Sequence, residues 1–257
     1  MWRLIYYLYG RRLARDVKRE PLPRHIGLIL DGNRRHGRRI GVTNPRELYD
    51  LGAGKLDDVL DWCVEFGIPT VTLWVFSTDN FRRPAVEVSG ILAAIEAKLT
   101  ALARDPVIHR RRVRVRAIGQ LCLLPEELVG AIETAEAATA GYDGVELNIA
   151  VAYGGRQEIA DAVQALLGRM IACGTSLAEA AAQVTPDAIA RHLYTAGLPD
   201  PDLIIRTSGE IRLSGFLLWQ SAHSEFYFSD VNWPVFRKID FLRAIRTYQQ
   251  RRRRFGE

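Results

Sequence analysis

The 257-residue sequence is poor in cysteine: Cys63, Cys122 and Cys173 are an odd number, with no CxxC pair and no histidine-rich spacing beside them. That excludes a disulfide framework or zinc ribbon as the organising device and favours a reducing, cytoplasmic setting. Each cysteine sits in an apolar stretch, so each is expected to be a small buried hydrophobe. The N-terminal stretch lacks a run fit to cross a membrane. Its longest apolar run, Leu4 to Tyr9, is far short of the roughly 20 residues needed. No small-residue cleavage site follows it, so it is a poor signal peptide. The P-loop lysine pattern, GxGxxG and GxSxG are all missing, and Gly154-Gly155 is too little glycine for a dinucleotide fingerprint. There is no internal repeat and no low-complexity linker, so one domain is expected.

What the chain does carry is positive charge, +5 overall with a pI near 9.3. This favours anionic partners: phosphates, nucleic acid or an anionic membrane surface. Residues 1–22 read as an amphipathic helix and linker, with Trp2, Ile5, Tyr6, Tyr9, Leu13 and Val17 at helical spacing among arginines. The helix either packs on the body of the protein or touches a membrane. From residue 23 onward, apolar strands alternate with helical patterns. Strands are expected at 25–30, 70–76, 145–153, 202–207 and 215–220. Helices are expected at 46–66, 84–104, 125–140, 154–171, from Thr185 to Ala196, and from about Asp240. Val113, Val115 and Ala117 alternate with Arg112, Arg114 and Arg116, which marks a strand near a sheet edge. The alternation predicts an α/β fold with a largely parallel sheet.

In open α/β sheets, ligands bind beyond the carboxyl ends of the strands. Four polar clusters stand there. In "LILDGNRRHGRR" (28–39), Asp31 ends a strand and Gly32-Asn33-Arg34-Arg35 open a helix whose free N–H groups favour an anion. An acid among so many arginines suits a diphosphate and Mg²⁺ held together, Mg²⁺ taking one carboxylate plus phosphate oxygens and water. A helix cap is the plainer reading of Asp31. In "FSTDNFRRP" (76–84), Asn80 and Arg83 are placed to contact substrate, with Phe76 and Phe81 as apolar walls. Tyr153-Gly154-Gly155-Arg156 come after a third strand. In "RTSGEIRLSGF" (206–216), Arg206, Arg212, Ser208 and Ser214 make a second oxyanion pocket, since guanidinium forks match phosphate oxygens. Glu225 is a lone acid among aromatics, hence paired or a metal ligand. The five histidines share no spacing and read as structural.

Taken in order, "HIGLILDGNRR", "FSTDNFRRP", "NIAVAYGGRQEI", "PDPDLIIRTSGEIRLSGFLLWQSAHSEFYF" and "NWPVF" resemble the cis-prenyltransferases, the family of undecaprenyl diphosphate synthase and (2Z,6E)-farnesyl diphosphate synthase. The resemblance spans roughly residues 23–256 and implies a catalytic domain over 23–257. The implied fold has a central, mostly parallel sheet flanked by helices and a hydrophobic tunnel, in a homodimer. The implied activity is Mg²⁺-dependent condensation of isopentenyl diphosphate with an allylic diphosphate. Asp31 then resembles the aspartate that holds Mg²⁺ and diphosphate, and Glu225 a second acid at the metal. Gly32, Asn33, Arg34 and Arg35 resemble the allylic diphosphate loop. Asn80 and Arg83, with Phe76, Ser77, Thr78 and Phe81, resemble the segment after the second strand. Arg206, Arg212 and Ser214 resemble the isopentenyl diphosphate pocket. Arg254 and Gly256 resemble the Arg-x-Gly tail that reaches the partner's site.

The sequence departs from the family pattern at several places. His36-Gly37 stand where Trp-Ala is usual, Tyr49 where a histidine is usual, and Asp79 and Phe81 where Glu and Trp are usual. Trp74, Val75 and the aromatic N-terminal helix suggest a short tunnel and a C15 product. A product near C50, or an irregular branching condensation suggested by His36-Gly37, are the alternatives. A non-catalytic partner subunit is disfavoured by the presence of Asp31. A nucleic-acid module is disfavoured because the arginines come after buried strands and do not interleave with aromatics.

Overall fold

A computed structural model describes residues 2–251. The elements in chain order are α1 (Trp2–Val17), β1 (His25–Ile29), α2 (Asn33–Ile40), α3 (Pro45–Phe66), β2 (Thr70–Trp74), α4 (Ala85–Leu102), α5 (Pro106–Arg110), β3 (Val113–Ile118), α6 (Glu126–Thr139), β4 (Val145–Ala150), α7 (Gly155–Ala172), α8 (Leu177–Gln183), α9 (Pro186–Ala190), β5 (Leu203–Arg206), β6 (Glu225–Phe228) and α10 (Lys238–Gln250). The six strands form one sheet in the order β3-β4-β2-β1-β5-β6, and every pairing is parallel. A parallel sheet must be covered on both faces, which is why β1, β2 and β5 read as nearly continuous apolar runs.

Side-chain alternation sorts the two layers. Val71 and Leu73 of β2, with Leu147 and Ile149 of β4, pack in the core under α3, α4 and α6. Ile29, Ala150 and Ile204 face the other way, in a cluster with Tyr153, Phe216 and Leu217, against which Trp74 packs. On that second face Glu158 is fully buried in the first turn of α7, and burial raises its pKa. It accepts hydrogen bonds from the Tyr153 hydroxyl, Gln220 Nε2 and the Tyr194 N–H, which ties α7 to the sheet and to the loop ahead of β6. The N-terminal helix joins the body: Leu13 and Val17 are in the main core, and the Tyr6 and Tyr9 rings lie under the Arg237 and Arg243 guanidinium groups.

Some local expectations are corrected. Residues 215–220 do not form a strand. Ser214, Gly215 and Leu217 all adopt positive φ, which no strand tolerates, and Phe216 is stacked on Trp74 instead. The sixth strand is Glu225–Phe228, whose aromatic run pairs with β5. The Thr185-capped helix stops at Ala190, and residues 191–198 are turns. Cys63 is buried as expected, but Cys122 and Cys173 are exposed. The Arg-alternating strand β3 is indeed a sheet edge.

Candidate active site

The ends of β1, β2 and β5 lie side by side, because Ile29 pairs with both Trp74 and Arg206. The loops leaving these three strands therefore meet at one rim. There the chain opens a cleft of about 460 Å³ lined by Asp31, Gly32, Asn33, Arg34, Arg35, Arg38, Tyr49, Phe76, Ser77, Asn80, Arg83, Arg206, Glu210, Arg212 and Ser214, among others. Six arginines and two acids line it, so the cleft is strongly electropositive.

At its floor the Arg206 guanidinium, only 5% exposed, binds Asp31 Oδ2 through Nη2 (2.6 Å) and Nε (3.1 Å). The same group donates to Ser214 Oγ (2.8 Å) and to the Arg212 carbonyl. Both contacts to Asp31 fall on Oδ2. No hydrogen bond among the described residues reaches Oδ1, and the carboxylate is 40% exposed to the cleft. The Asp31 backbone is held separately: its carbonyl accepts from the Trp233 N–H (2.9 Å) and the Thr207 hydroxyl (2.7 Å).

Gly32 then turns the chain with φ of 100°, and a side chain there would strike Asn232. Helix α2 starts at Asn33, so the N–H groups of its first turn have no intrahelical partner and present positive charge near Asp31. Arg35 reaches across to Ser208, donating to its carbonyl and hydroxyl, and to Glu210 (2.9 Å). Arg212 binds the other oxygen of Glu210 (2.5 Å). Between those two arginines the Glu210 carboxyl is held below its usual range.

A second cluster forms on the opposite wall. Glu87 of α4 accepts from the Tyr49 hydroxyl (3.0 Å) and from Arg83 (2.9 Å), and Arg34 lies 3.7 Å away. Burial pushes the Tyr49 phenol up to about 12, so it stays a neutral donor at any ordinary pH. Asn80 Oδ1 accepts from the Ser77 N–H (3.0 Å), which fixes the turn after β2. No hydrogen bond among the described residues engages Asn80 Nδ2.

A smaller, apolar pocket of about 80 Å³ continues from the cleft, sharing Leu30, Asn33, Tyr49, Val75 and Ile91 with it. It runs between the sheet and the α3–α4 pair, along Gly52, Ala53, Leu56, Ala94, Ile95, Lys98 and Leu99. Charge at the mouth and hydrocarbon behind it suit an amphiphile with an anionic head and an apolar tail.

The chain thus brings together Asp31, Gly32, Asn33, Arg34, Arg35, Tyr49, Phe76, Ser77, Asn80, Arg83, Arg206, Arg212 and Ser214. Phe81 does not line the cleft. It packs edge-on against Phe76 at 4.9 Å, while Thr78 packs on Gly154. Glu225 is not beside Asp31 within one chain. It starts β6 opposite Leu203, three residues before the Arg206 level, and about 10 Å toward the other end of the sheet at the usual strand rise. There it pairs with Arg251 (2.6 Å). Arg254 and Gly256 lie outside the described residues. His36 and Gly37 line neither cavity. His36 is buried, and a side chain on Gly37 would meet Leu48 at 2.5 Å and the Val42 carbonyl at 3.1 Å. Gly37 thus sits at the contact between α2 and Leu48 of α3.

Glu87 and Glu210 are the residues whose part in the site the sequence did not reveal. The clue for Glu87 was its spacing of four from Arg83 on a helix. Among the described residues no cluster of three or more His, Cys, Asp or Glu side chains could hold a metal, and no helix is long and apolar enough to cross a membrane.

Comparison with known proteins agrees with this geometry. The family model described as "Putative undecaprenyl diphosphate synthase" matches residues 29–256. An isoprenyl transferase of Thermus thermophilus is 59% identical over 99% of this chain and 96% of its own length. The (2Z,6E)-farnesyl diphosphate synthase of Thermobifida fusca is 52% identical over 98% and 97% of the two chains. The crystal structure of lavandulyl diphosphate synthase from Lavandula x intermedia, in complex with dimethylallyl diphosphate, superposes with a TM-score of 0.83 at 32% identity, covering 92% of this chain and 99% of that one. With five ordered motifs, an all-parallel sheet and a charged cleft that opens into an apolar pocket, the chain belongs to the cis-prenyltransferases of the undecaprenyl diphosphate synthase family and is an isoprenyl transferase.

Proposed function

We propose that this prenyltransferase condenses isopentenyl diphosphate with an allylic diphosphate, geranyl diphosphate foremost, and stops at a C15 product. The observation that carries this reading is the size of the apolar pocket. At about 80 Å³ it is roughly half the ~150 Å³ cavity that accepts one benzene ring. A space this small must widen for any prenyl tail, least for a short one of two or three isoprene units that lies partly in the cleft and most for a C50 chain. The feature that suggested a branching condensation, His36-Gly37, lies outside both cavities, which weakens that alternative. The 50% identical relative from Methanopyrus kandleri is named a tritrans,polycis-undecaprenyl-diphosphate synthase, so kinship alone does not choose the length.

In this reading Arg34, Arg35 and the first-turn N–H groups of α2 hold the allylic diphosphate. Arg206, Arg212 and Ser214 hold the isopentenyl diphosphate. Positive groups placed where negative charge accumulates stabilise the departing diphosphate as the allylic C–O bond breaks. The isopentenyl double bond attacks the resulting cationic carbon, and a proton leaves its C2. In this reading Asn80 orients the reacting segment, and a diphosphate oxygen accepts the proton. Members of this family generally depend on Mg²⁺. The donor set fits that ion: one carboxylate, Asp31, with Oδ1 unengaged, beside a site for phosphate oxygens. Bound there, Mg²⁺ would neutralise charge on the leaving diphosphate.

The test is product mass and branching after incubation with Mg²⁺, isopentenyl diphosphate and each of dimethylallyl, geranyl and farnesyl diphosphate. A linear C15 diphosphate from geranyl diphosphate is expected. Products near C50 would establish the long-chain alternative, and a branched product the irregular one.

Two surfaces extend the proposal. The sheet ends on β6, a half-buried aromatic edge with Phe226 and Phe228 stacked, and Arg251 is held against it. An apolar edge strand seeks cover, and a second copy, forming a homodimer, supplies it. On α1 the exposed Tyr7 and Leu8 stand beside Arg11, Arg12 and Arg15, a face suited to peripheral contact with an anionic membrane. Light scattering should give twice the chain mass. Co-sedimentation with phosphatidylglycerol vesicles should exceed that with phosphatidylcholine vesicles and fall with salt. A monomer, or equal sedimentation, would remove the respective extension.

A further inference from the structure

The apolar pocket is lined by two helices at helical spacing. From α3 come Tyr49, Gly52, Ala53 and Leu56; from α4 come Ile91, Ala94, Ile95, Lys98 and Leu99. Tyr49 and Ile91 also line the charged cleft, so they mark the mouth. The two helices run side by side in the same direction. Near the mouth a Cβ on Gly90 would lie 2.8 Å from Pro45, and farther along Lys98 touches Asp57. Leu56 and Lys98 are each seven residues beyond the mouth, about 10 Å at the rise of an α-helix.

At that far end Leu56, Leu73, Leu99 and Ile149 are packed core residues. Lys98 is different: it is the one charged side chain in the pocket wall among the described residues. Its side chain is 18% exposed, and Nζ lies 2.6 Å from Oδ1 of Asp57, which is 53% exposed. The aliphatic stem thus faces the pocket while the ammonium reaches out to the surface. An ammonium drawn into an apolar pocket would lose its hydration with no partner there to replace it. The head therefore stays outside, and the carboxylate across the seam holds it there, so the stem lies as a bar between α3 and α4.

We propose that the Lys98–Asp57 pair closes the far end of the product pocket and sets where chain growth stops. This rests on the chain-elongating reading above. A growing prenyl tail that reaches the bar can pass only if the stem swings outward, which separates the ion pair and opens the apolar pocket to water. A leucine at position 98 would close the end by bulk alone; the lysine closes it with a side chain anchored at its tip.

The experiment is the ratio of successive product lengths, by mass spectrometry, with geranyl diphosphate as primer and isopentenyl diphosphate in excess. This ratio does not depend on total turnover. Lys98→Ala should lengthen the dominant product by at least one isoprene unit. Asp57→Asn, a surface change that leaves the fold untouched, should shift the ratio in the same direction but less. Lys98→Leu should return it toward wild type. Wild-type distributions from both Lys98→Ala and Asp57→Asn, with unchanged thermal midpoints, would overturn the proposal. A shift in Lys98→Ala alone would overturn the part assigned to the ion pair. Failure of the wild type to incorporate isopentenyl diphosphate at all would instead refute the elongation reading, so the two failures are distinct.

Discussion

Asp31→Asn should lower kcat/KM for the condensation by about 10³ or more while leaving the thermal midpoint almost unchanged. The expected size reflects the loss of a preorganised charge at a site of charge development, where one group typically contributes about 10²–10³, together with loss of the carboxylate proposed to bind Mg²⁺, whose Oδ1 no hydrogen bond among the described residues engages. The small effect on stability follows because asparagine is nearly isosteric and keeps an oxygen to accept from the buried Arg206 fork, while the side chain is itself 40% exposed. The turn itself survives, because the Asp31 carbonyl keeps its bonds to the Trp233 N–H and the Thr207 hydroxyl. Raising Mg²⁺ should recover little of the activity, since the oxygen that would bind it is absent. Turnover within a few-fold of wild type would remove Asp31 from the chemistry and return it to the role of a helix cap.

Arg206→Leu should cost both turnover and stability. Unlike Asp31, Arg206 is almost wholly buried, and its fork serves Asp31, Ser214 and the Arg212 carbonyl at once. Leucine leaves those groups unpaired, a penalty of roughly 1–3 kcal/mol for buried polar atoms. It also removes a fixed positive charge from the floor of the diphosphate cleft, for a further loss of about 10²–10³ in kcat/KM. Arg206→Lys keeps the charge but not the planar fork, so it should regain part of the stability and little of the rate. The KM for isopentenyl diphosphate should rise more than that for the allylic substrate. Equal rises in both would mean that Arg206 supports the whole rim and has no preferred substrate.

Much of the fold was legible because apolar runs and turn residues are local signals. His25 to Ile29, Thr70 to Trp74 and Leu203 to Arg206 lie within the sheet and are almost wholly buried, so their continuous hydrophobicity announced a parallel sheet. The strand-end rule then placed Asp31, Asn80 and Arg206 at one rim. The local signal failed where tertiary contact overrode it. "GFLLWQ" has the composition of a strand, but positive φ at Gly215 and Leu217 makes it a turn that delivers Phe216 to Trp74. "EFYF" looked like an isolated acid among aromatics and is the last strand of the sheet. His36-Gly37, which looked like a change in the active site, lines neither cavity and lies where α2 meets Leu48 and the Val42 carbonyl.

The sequence by itself determined the chemistry of the rim, because the residue after a buried strand must sit at its carboxyl end whatever the rest of the chain does. It also determined the excess of arginine that makes the rim a place for phosphate. Only the tertiary structure decided which charges neutralise one another and how much room lies behind them. The pairing of Arg206 with Asp31 and of Arg35 with Glu210 joins residues 175 positions apart, and Glu87 gathers Tyr49, Arg83 and Arg34 from three separate segments. The apolar pocket behind the rim is the gap left between α3, α4 and the sheet, and no single segment encodes the size of a gap. It depends on the distance at which Gly90 lets α4 approach Pro45 and on where the Lys98 side chain comes to rest against Asp57.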